Sequence, residues 1–136
     1  MPCVFCDIVA GESPAHVVLD DDRFVAFLDI RPLFHGHTLL VPREHVVTLP
    51  DLDVDLVGPF FERVQRLAVA VEEGCGAQGT LIAINNTVSQ SVPHLHAHVV
   101  PRTKGDGLRG FFWPRHPYDS PEHAEEVAGR IRAALP

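Results

Sequence analysis

No apolar run in this chain of 136 residues approaches the ~20 residues needed to cross a bilayer, so no membrane partner is expected. Positive charge is scarce: eleven Lys and Arg against eighteen Asp and Glu leave a net charge of −7. That deficit argues against non-specific nucleic-acid binding, which relies on an excess of basic side chains to neutralise phosphates. Cysteine is scarce too, and three residues, an odd number, fit a reducing compartment better than a disulfide scaffold. The opening Met1-Pro2-Cys3-Val4-Phe5-Cys6-Asp7 has neither the basic nor the apolar stretch of a signal peptide, and a cytoplasmic location is expected. Repeats are absent, and no low-complexity tract exceeds Asp20-Asp21-Asp22. Twelve Pro and ten Gly are scattered without forming a linker, which predicts one domain over residues 1–136.

What is present alternates between strand and helix signals. Residues 16–20 and 23–29 are β-branched and aromatic runs separated by Asp21-Asp22, a hairpin pattern. Residues 37–42, 80–85 and 94–100 read as three further strands. Between the third and fourth, Phe60, Phe61, Val64, Leu67, Ala68 and Val71 recur at helical spacing. This helix is expected to begin near Asp55, with Pro59 in or near its first turn and Gly74 as its terminator. Ser120 followed by Pro121 predicts the start of a last helix reaching about Leu135. The implied class is α+β, with helices packed on an antiparallel sheet.

The segment His94-Leu95-His96-Ala97-His98 carries the chemistry. In an extended strand alternate side chains share a face, so the three imidazoles lie about 6.6 Å apart along one side. A solvated polar face and a metal site are the competing readings, and residue types alone favour metal. Two flanks point toward an anion instead. The upstream turn, residues 85–92, is rich in amide and hydroxyl groups and has no carboxylate, which suits an anionic oxygen better than a cation. Downstream, Arg102, Lys104, Arg109 and Arg115 face only Asp106 in sequence, and phosphate is the natural anion for them.

Pro93-His94-Leu95-His96-Ala97-His98-Val99-Val100 resembles the His-φ-His-φ-His-φ-φ signature of the histidine triad (HIT) family of nucleotide hydrolases and transferases. The similarity extends to residues 5–12, 27–32, 36–42 and 90–93. It implies a five-stranded antiparallel sheet with a long crossover helix and a C-terminal helix, joined into ten strands in a homodimer. It implies also that His96 attacks the α-phosphorus of a nucleotide, giving a nucleotidyl-histidine intermediate that water hydrolyses. His98 then lies beside the phosphate and His37 completes the cluster. Asn85, Gln90 and Ser91 match positions that bond the phosphate, Asp29 the one that bridges the ribose hydroxyls, and Phe5, Ile8 and Ile30 the base pocket. Substrates of that kind are AMP or other purine-nucleotide derivatives: phosphoramidates, adenylylated amines, dinucleoside polyphosphates. Two positions depart from the family pattern. Ser13 stands where many relatives have isoleucine, and Ser89 where a glycine usually precedes the glutamine.

Cys3-x-x-Cys6 can share one tetrahedral ion; a redox pair is the rival reading. Bacterial histidine triad proteins that begin this way complete the site with two histidines matching His45 and His94, which implies structural zinc and makes His94 a ligand rather than a catalyst. No organic cofactor is expected. Two other functions compete with the hydrolase: a nucleotide-binding or interaction module with little turnover, and a metal-binding protein that uses His96 and His98 themselves. The tail from about residue 103, with Gly110-Phe111-Phe112-Trp113-Pro114, is expected to pack on its own domain or on a partner subunit.

Overall fold

A computed structural model describes residues 2–108 and 115–136, so Arg109 and the Trp113 segment lie outside the described residues. Those up to Asp106 form one compact unit and those from Gly107 onward a second. In the first, α1 (Val4–Val9) precedes the hairpin β1 (Val17–Asp20) and β2 (Phe24–Leu28), followed by β3 (Thr38–Pro42). A single 3-10 turn at Leu49–Asp51 leads into α2 (Val54–Cys75), β4 (Gly79–Ala83) and β5 (Ala97–Arg102). All pairings are antiparallel and the strand order is β1-β2-β3-β5-β4. No helix among the described residues is long and apolar enough to cross a membrane.

The five strands and the long crossover helix match the expectation, with shifted edges. Asp53 caps α2 by accepting from the Asp55 N–H. Pro59 sits in the second turn rather than the first, where its missing N–H leaves the Asp55 carbonyl without its helical donor. Gly74 stays helical, and the terminator is Gly76, whose φ of 63° is the left-handed conformation that a C-cap glycine supplies. The apolar stripe holds at Phe60, Val64, Leu67 and Val71, all buried, while Phe61 turns partly outward. The unexpected α1 is signalled by no periodicity; six residues are too few to display one. In the second unit α3 (Pro121–Ala134) begins as expected, with Ser120 accepting from the His123 N–H.

Each strand in the middle of the sheet is coded twice. Phe24, Ala26, Leu40, Leu95, Ala97 and Val99 face the stripe of α2 and form the main core. Their alternates Val25, Phe27, Leu39 and Val41 face the other way, against Cys3 and Phe5 at α1. Covering both faces explains why β2 and β3 are almost continuously apolar. On the α1 side the same alternation continues into Asp29 beyond β2, His37 before β3 and the histidines of β5. Gly36, next to His37, has φ 104° and lies so close to α2 that a Cβ there would stand 2.3 Å from Cys75 Sγ.

Gly76→Ala is expected to cost about 1–2 kcal/mol, the left-handed penalty alone, because no atom lies within 4 Å of its added Cβ. Gly36→Ala should cost more, since it meets both an outlying φ and the thiol. Urea unfolding of the two variants checks the order.

Candidate active site and metal cluster

Register places the polar side chains. Leu28 pairs with Thr38 and Phe27 with Leu39, while Leu39 pairs with His98. Asp29 therefore stands opposite His37, and its N–H donates to the His37 carbonyl at 2.9 Å. His37 and His98 are diagonal neighbours on adjacent strands, a separation that ring side chains bridge. Their rings meet at 2.9 Å, His37 Nε2 to His98 Nδ1. The ladder of β5 begins only at Ala97, so of the three expected strand histidines His98 alone lies within it. The alternation survives nonetheless: Leu95 and Ala97 enter the main core, while the His96 ring packs against those of His98 and Phe5, with centroids 4.9 and 5.1 Å away.

Backbone groups decide which ring nitrogen carries each proton, because a peptide N–H can only donate and a carbonyl only accept. The Leu33 N–H donates to His37 Nδ1 at 3.1 Å. Neutral His37 therefore carries its proton on Nε2 and gives it to His98 Nδ1, which leaves His98 with an Nε2–H. Conversely, His96 Nδ1 lies 2.7 Å from the His94 carbonyl and must donate there. Its Nε2 is left as a free lone pair. One imidazole is thus set as an acceptor and its neighbour as a donor.

Burial disfavours charge on His37 and His98. His37 is 3% exposed. Burial, followed by the neighbouring His96 and His37 rings, pushes His98 down to about 4. His37 is also lowered, first by burial, with Asp29 opposing; the Asp29 Oδ2 to His37 Nε2 distance is 3.7 Å. A metal held by Asp29, His37 and His98, which do cluster, would need the His37 Nε2 lone pair while Leu33 occupies Nδ1. That demands an imidazolate, so the hydrogen-bonded chain is the fitting description.

The rings open into a cavity of about 250 Å³ whose polar lining includes Asp29, Ser91, His96 and His98. Its apolar lining includes Phe5, Ile8 and Ile30, the last 85% exposed. Ser13 is in the lining as well. Asn85 and Gln90 are not. The Gln90 amide accepts from the Thr87 N–H of its own loop and donates to the Val47 carbonyl in the segment after β3. That loop is strained: Thr87 and Ser89 have φ of 69° and 62°, and Ser89 is where the family pattern has glycine. Neither Arg102 nor Lys104 lines the cavity. Arg102, four residues and therefore about 13 Å beyond His98 along the strand, bonds Asp106 at 2.7 Å.

Cys3, Cys6, His45 and His94 converge as a second group. Cys3 Sγ and Cys6 Sγ lie 3.4 and 3.5 Å from His94 Nδ1, Cys6 Sγ 3.2 Å from His45 Nδ1, and the two Nδ1 atoms 3.3 Å apart. A tetrahedral zinc with ordinary bond lengths separates its N–N and N–S ligand pairs by about 3.4–3.6 Å. The donor set and its edges fit the ion. His94 Nε2 faces the Pro42 carbonyl at 2.8 Å, which puts the ring proton there and turns the Nδ1 lone pair into the cluster. Without a cation, burial first and Cys3 second push the Cys6 thiol up to about 11. Cys3 is the N-cap of α1 and Cys6 lies in its first turn, a helix start that the sequence did not suggest.

The pattern of elements and residues has counterparts. A family model described as "HIT domain" matches residues 10–105. An uncharacterized HIT-like protein of Mycobacterium tuberculosis is 41% identical, covering 99% of this chain and 94% of its own. An adenylylsulfatase of Arabidopsis thaliana is 34% identical over 98% of this chain and 69% of its own. An adenosine 5′-monophosphoramidase of Schizosaccharomyces pombe is 30% identical over 97% of this chain and 100% of its own. Among solved structures, a HIT-family protein from Bacillus subtilis superposes with a TM-score of 0.92, at 31% identity, covering 100% and 99% of the two chains. A zinc-bound histidine triad protein from Mycobacterium smegmatis gives 0.75, at 39% identity, covering 98% and 97%.

The lowered His98 makes a signed prediction. A histidine that titrates near 6.5 unfolded and near 4 folded binds its proton more readily in the unfolded chain. Its contribution to stability is whole above pH 6.5 and is lost as pH falls toward 4. Unfolding midpoints followed over that window should fall less steeply in His98→Gln than in the wild type.

Proposed function

The chain belongs to the HIT family, and from that premise we propose that it is a hydrolase or transferase acting on the α-phosphate of a nucleoside monophosphate derivative. The observation that carries this reading is the pairing of a free His96 Nε2 lone pair with a His98 Nε2–H at one end of a cavity of nucleoside size. His96 attacks the α-phosphorus; the N–P bond forms as the bond to the leaving group breaks. The leaving group takes that bond's electron pair and a proton from solvent, while the His98 Nε2–H donates a hydrogen bond to it. Water then attacks phosphorus, the N–P bond breaks, His96 regains its lone pair and the water's proton passes to solvent. Ser91 donates to the phosphate oxygens, Asp29 accepts from the ribose hydroxyls, and Phe5, Ile8 and Ile30 hold the base. His37 keeps His98 in the donating tautomer.

Asn85 and Gln90 are further candidates for the phosphate contacts that the family pattern implies, and Gln90 also braces the loop that presents Ser91. Cys3, Cys6, His45 and His94 would hold a structural zinc ion, which would supply cross-linking rather than reaction chemistry. The names of two relatives, an adenylylsulfatase and a monophosphoramidase, support AMP derivatives as the substrate class.

Adenosine 5′-phosphoramidate is the first substrate to try, with AMP release followed by chromatography. His96→Gln is expected to lose three or more orders of magnitude, on the order of other nucleophile deletions, and His98→Gln about 10²–10⁴-fold. The wild type, but not His96→Gln, should yield an adenylylated chain in rapid-quench mass spectra. Equal turnover by wild type and His96→Gln would overturn the nucleophile. Tight AMP binding with no turnover, on dinucleoside polyphosphates as well, would favour a binding module.

A further inference from the structure

Helix α1 carries more of the cavity wall than its length can hold in place. Helices shorter than about twelve residues are marginal on their own in water, and α1, with six, buries one of its own residues, Phe5. Yet Val4, Phe5 and Ile8 all line the cavity. The lining continues into Ser13, Pro14 and Ala15, and this stretch hangs from α1, because the N–H groups of Glu12 and Ser13 donate to the Asp7 carbonyl at 2.8 and 3.2 Å. The rest of the apolar lining is different in kind. Phe27, Leu28 and Leu39 belong to β2 and β3, which are paired along their whole length.

One wall is therefore part of the sheet and the other stands on a short lever. Phe5 anchors the lever by edge contacts with Phe27 and His96, centroids 5.3 and 5.1 Å away, and Ile8 and Val9 pack partly buried against the same cluster. The polar fastening is at the N-terminal end, where Cys3 and Cys6 reach His45 and His94. Between protonated thiols and imidazoles these are weak hydrogen bonds. Around an ion they become coordinate bonds that tie α1 to the segments following β3 and preceding β5.

Resting on the nucleotide and zinc readings above, we propose that Cys3 and Cys6 are positioning residues for the nucleotide. The ion they share with His45 and His94 fastens the apolar wall, and metal and nucleotide binding are positively coupled. The coupling must be reciprocal: whatever factor the ion adds to nucleotide affinity, the nucleotide adds to ion affinity. It acts on the base end of the cavity and appears in equilibrium binding without any turnover.

The test uses the full chain, zinc-loaded and chelator-stripped, with AMP as the probe. Calorimetry should give an AMP dissociation constant roughly tenfold or more weaker in the stripped protein. Competition with a chromophoric chelator should show zinc held more tightly by the same factor when AMP is saturating. Hydrogen exchange should show residues 4–13 losing protection on stripping while β2, β3 and β5 keep theirs. Cys6→Ser should behave like the stripped protein; should it fail to fold, the chelator arm gives the answer alone.

Equal AMP affinity with and without zinc, or unchanged protection of α1, would overturn the coupling and leave the nucleotide reading intact. Protection lost throughout the sheet would overturn it too, because the ion would then be holding the whole fold. AMP binding to neither form, with zinc still tightly held, would overturn the nucleotide reading and the coupling with it. Failure to bind zinc would overturn the metal reading.

Discussion

The hydrogen bond from His96 Nδ1 to the His94 carbonyl is the contact on which the rest of the site depends. It exists because the β5 ladder starts late. Were residues 94–96 paired as a regular strand, the His94 carbonyl would be committed to a neighbouring N–H and could not accept from a side chain two residues on. The irregular entry into β5 frees that carbonyl, and the carbonyl fixes the tautomer. His94 itself is held from the other side, its ring 0% exposed, with Nε2 against Pro42 and Nδ1 among the thiols. A residue without a free lone pair for chemistry thereby orients the one that has it.

A loss of charge follows from the same crowding. Burial is the leading reason that His37, His94 and His98 are held below the ordinary histidine range. The site therefore offers N–H dipoles and a lone pair rather than cations. Fixed dipoles in a dry site stabilise charge that develops on a phosphate without needing to reorganise. Arg102 and Lys104, attractive as phosphate counter-charges in the sequence, are accordingly not part of the cavity lining.

The legibility of the chain follows the range of the forces involved. Period-two alternation located the strands and showed which side of β5 each histidine faces, because a face is a local property of the backbone. The stripe of α2 is equally plain over its 22 residues, whereas α1, at six, is too short to have a period. The expected terminator Gly74 gives way to Gly76 because what ends the helix is a left-handed φ, which composition does not reveal. The ligand pair His45 and His94 came from resemblance; only tertiary structure brings residues 49 positions apart to 3.3 Å. The tautomer-setting groups, the Leu33 N–H and the carbonyls of His94 and Pro42, were invisible in principle, because every residue has a carbonyl and nearly every one an amide hydrogen.

The double coding of β5 also bears on how the chain reaches its fold. Leu95, Ala97 and Val99 face one side and the imidazoles the other, so a slip of one residue against β3 would exchange the two sets. Three polar rings would enter the oil beneath α2 without partners, and three aliphatic side chains would line a polar pocket. Each misplaced ring would forfeit hydrogen bonds worth on the order of 1–3 kcal/mol. Since β3 and β2 are greasy on both faces and accept neighbours in either register, discrimination falls to β5. The residues that equip the site are thus also its proofreaders, rejecting the misaligned sheet before any ligand is present.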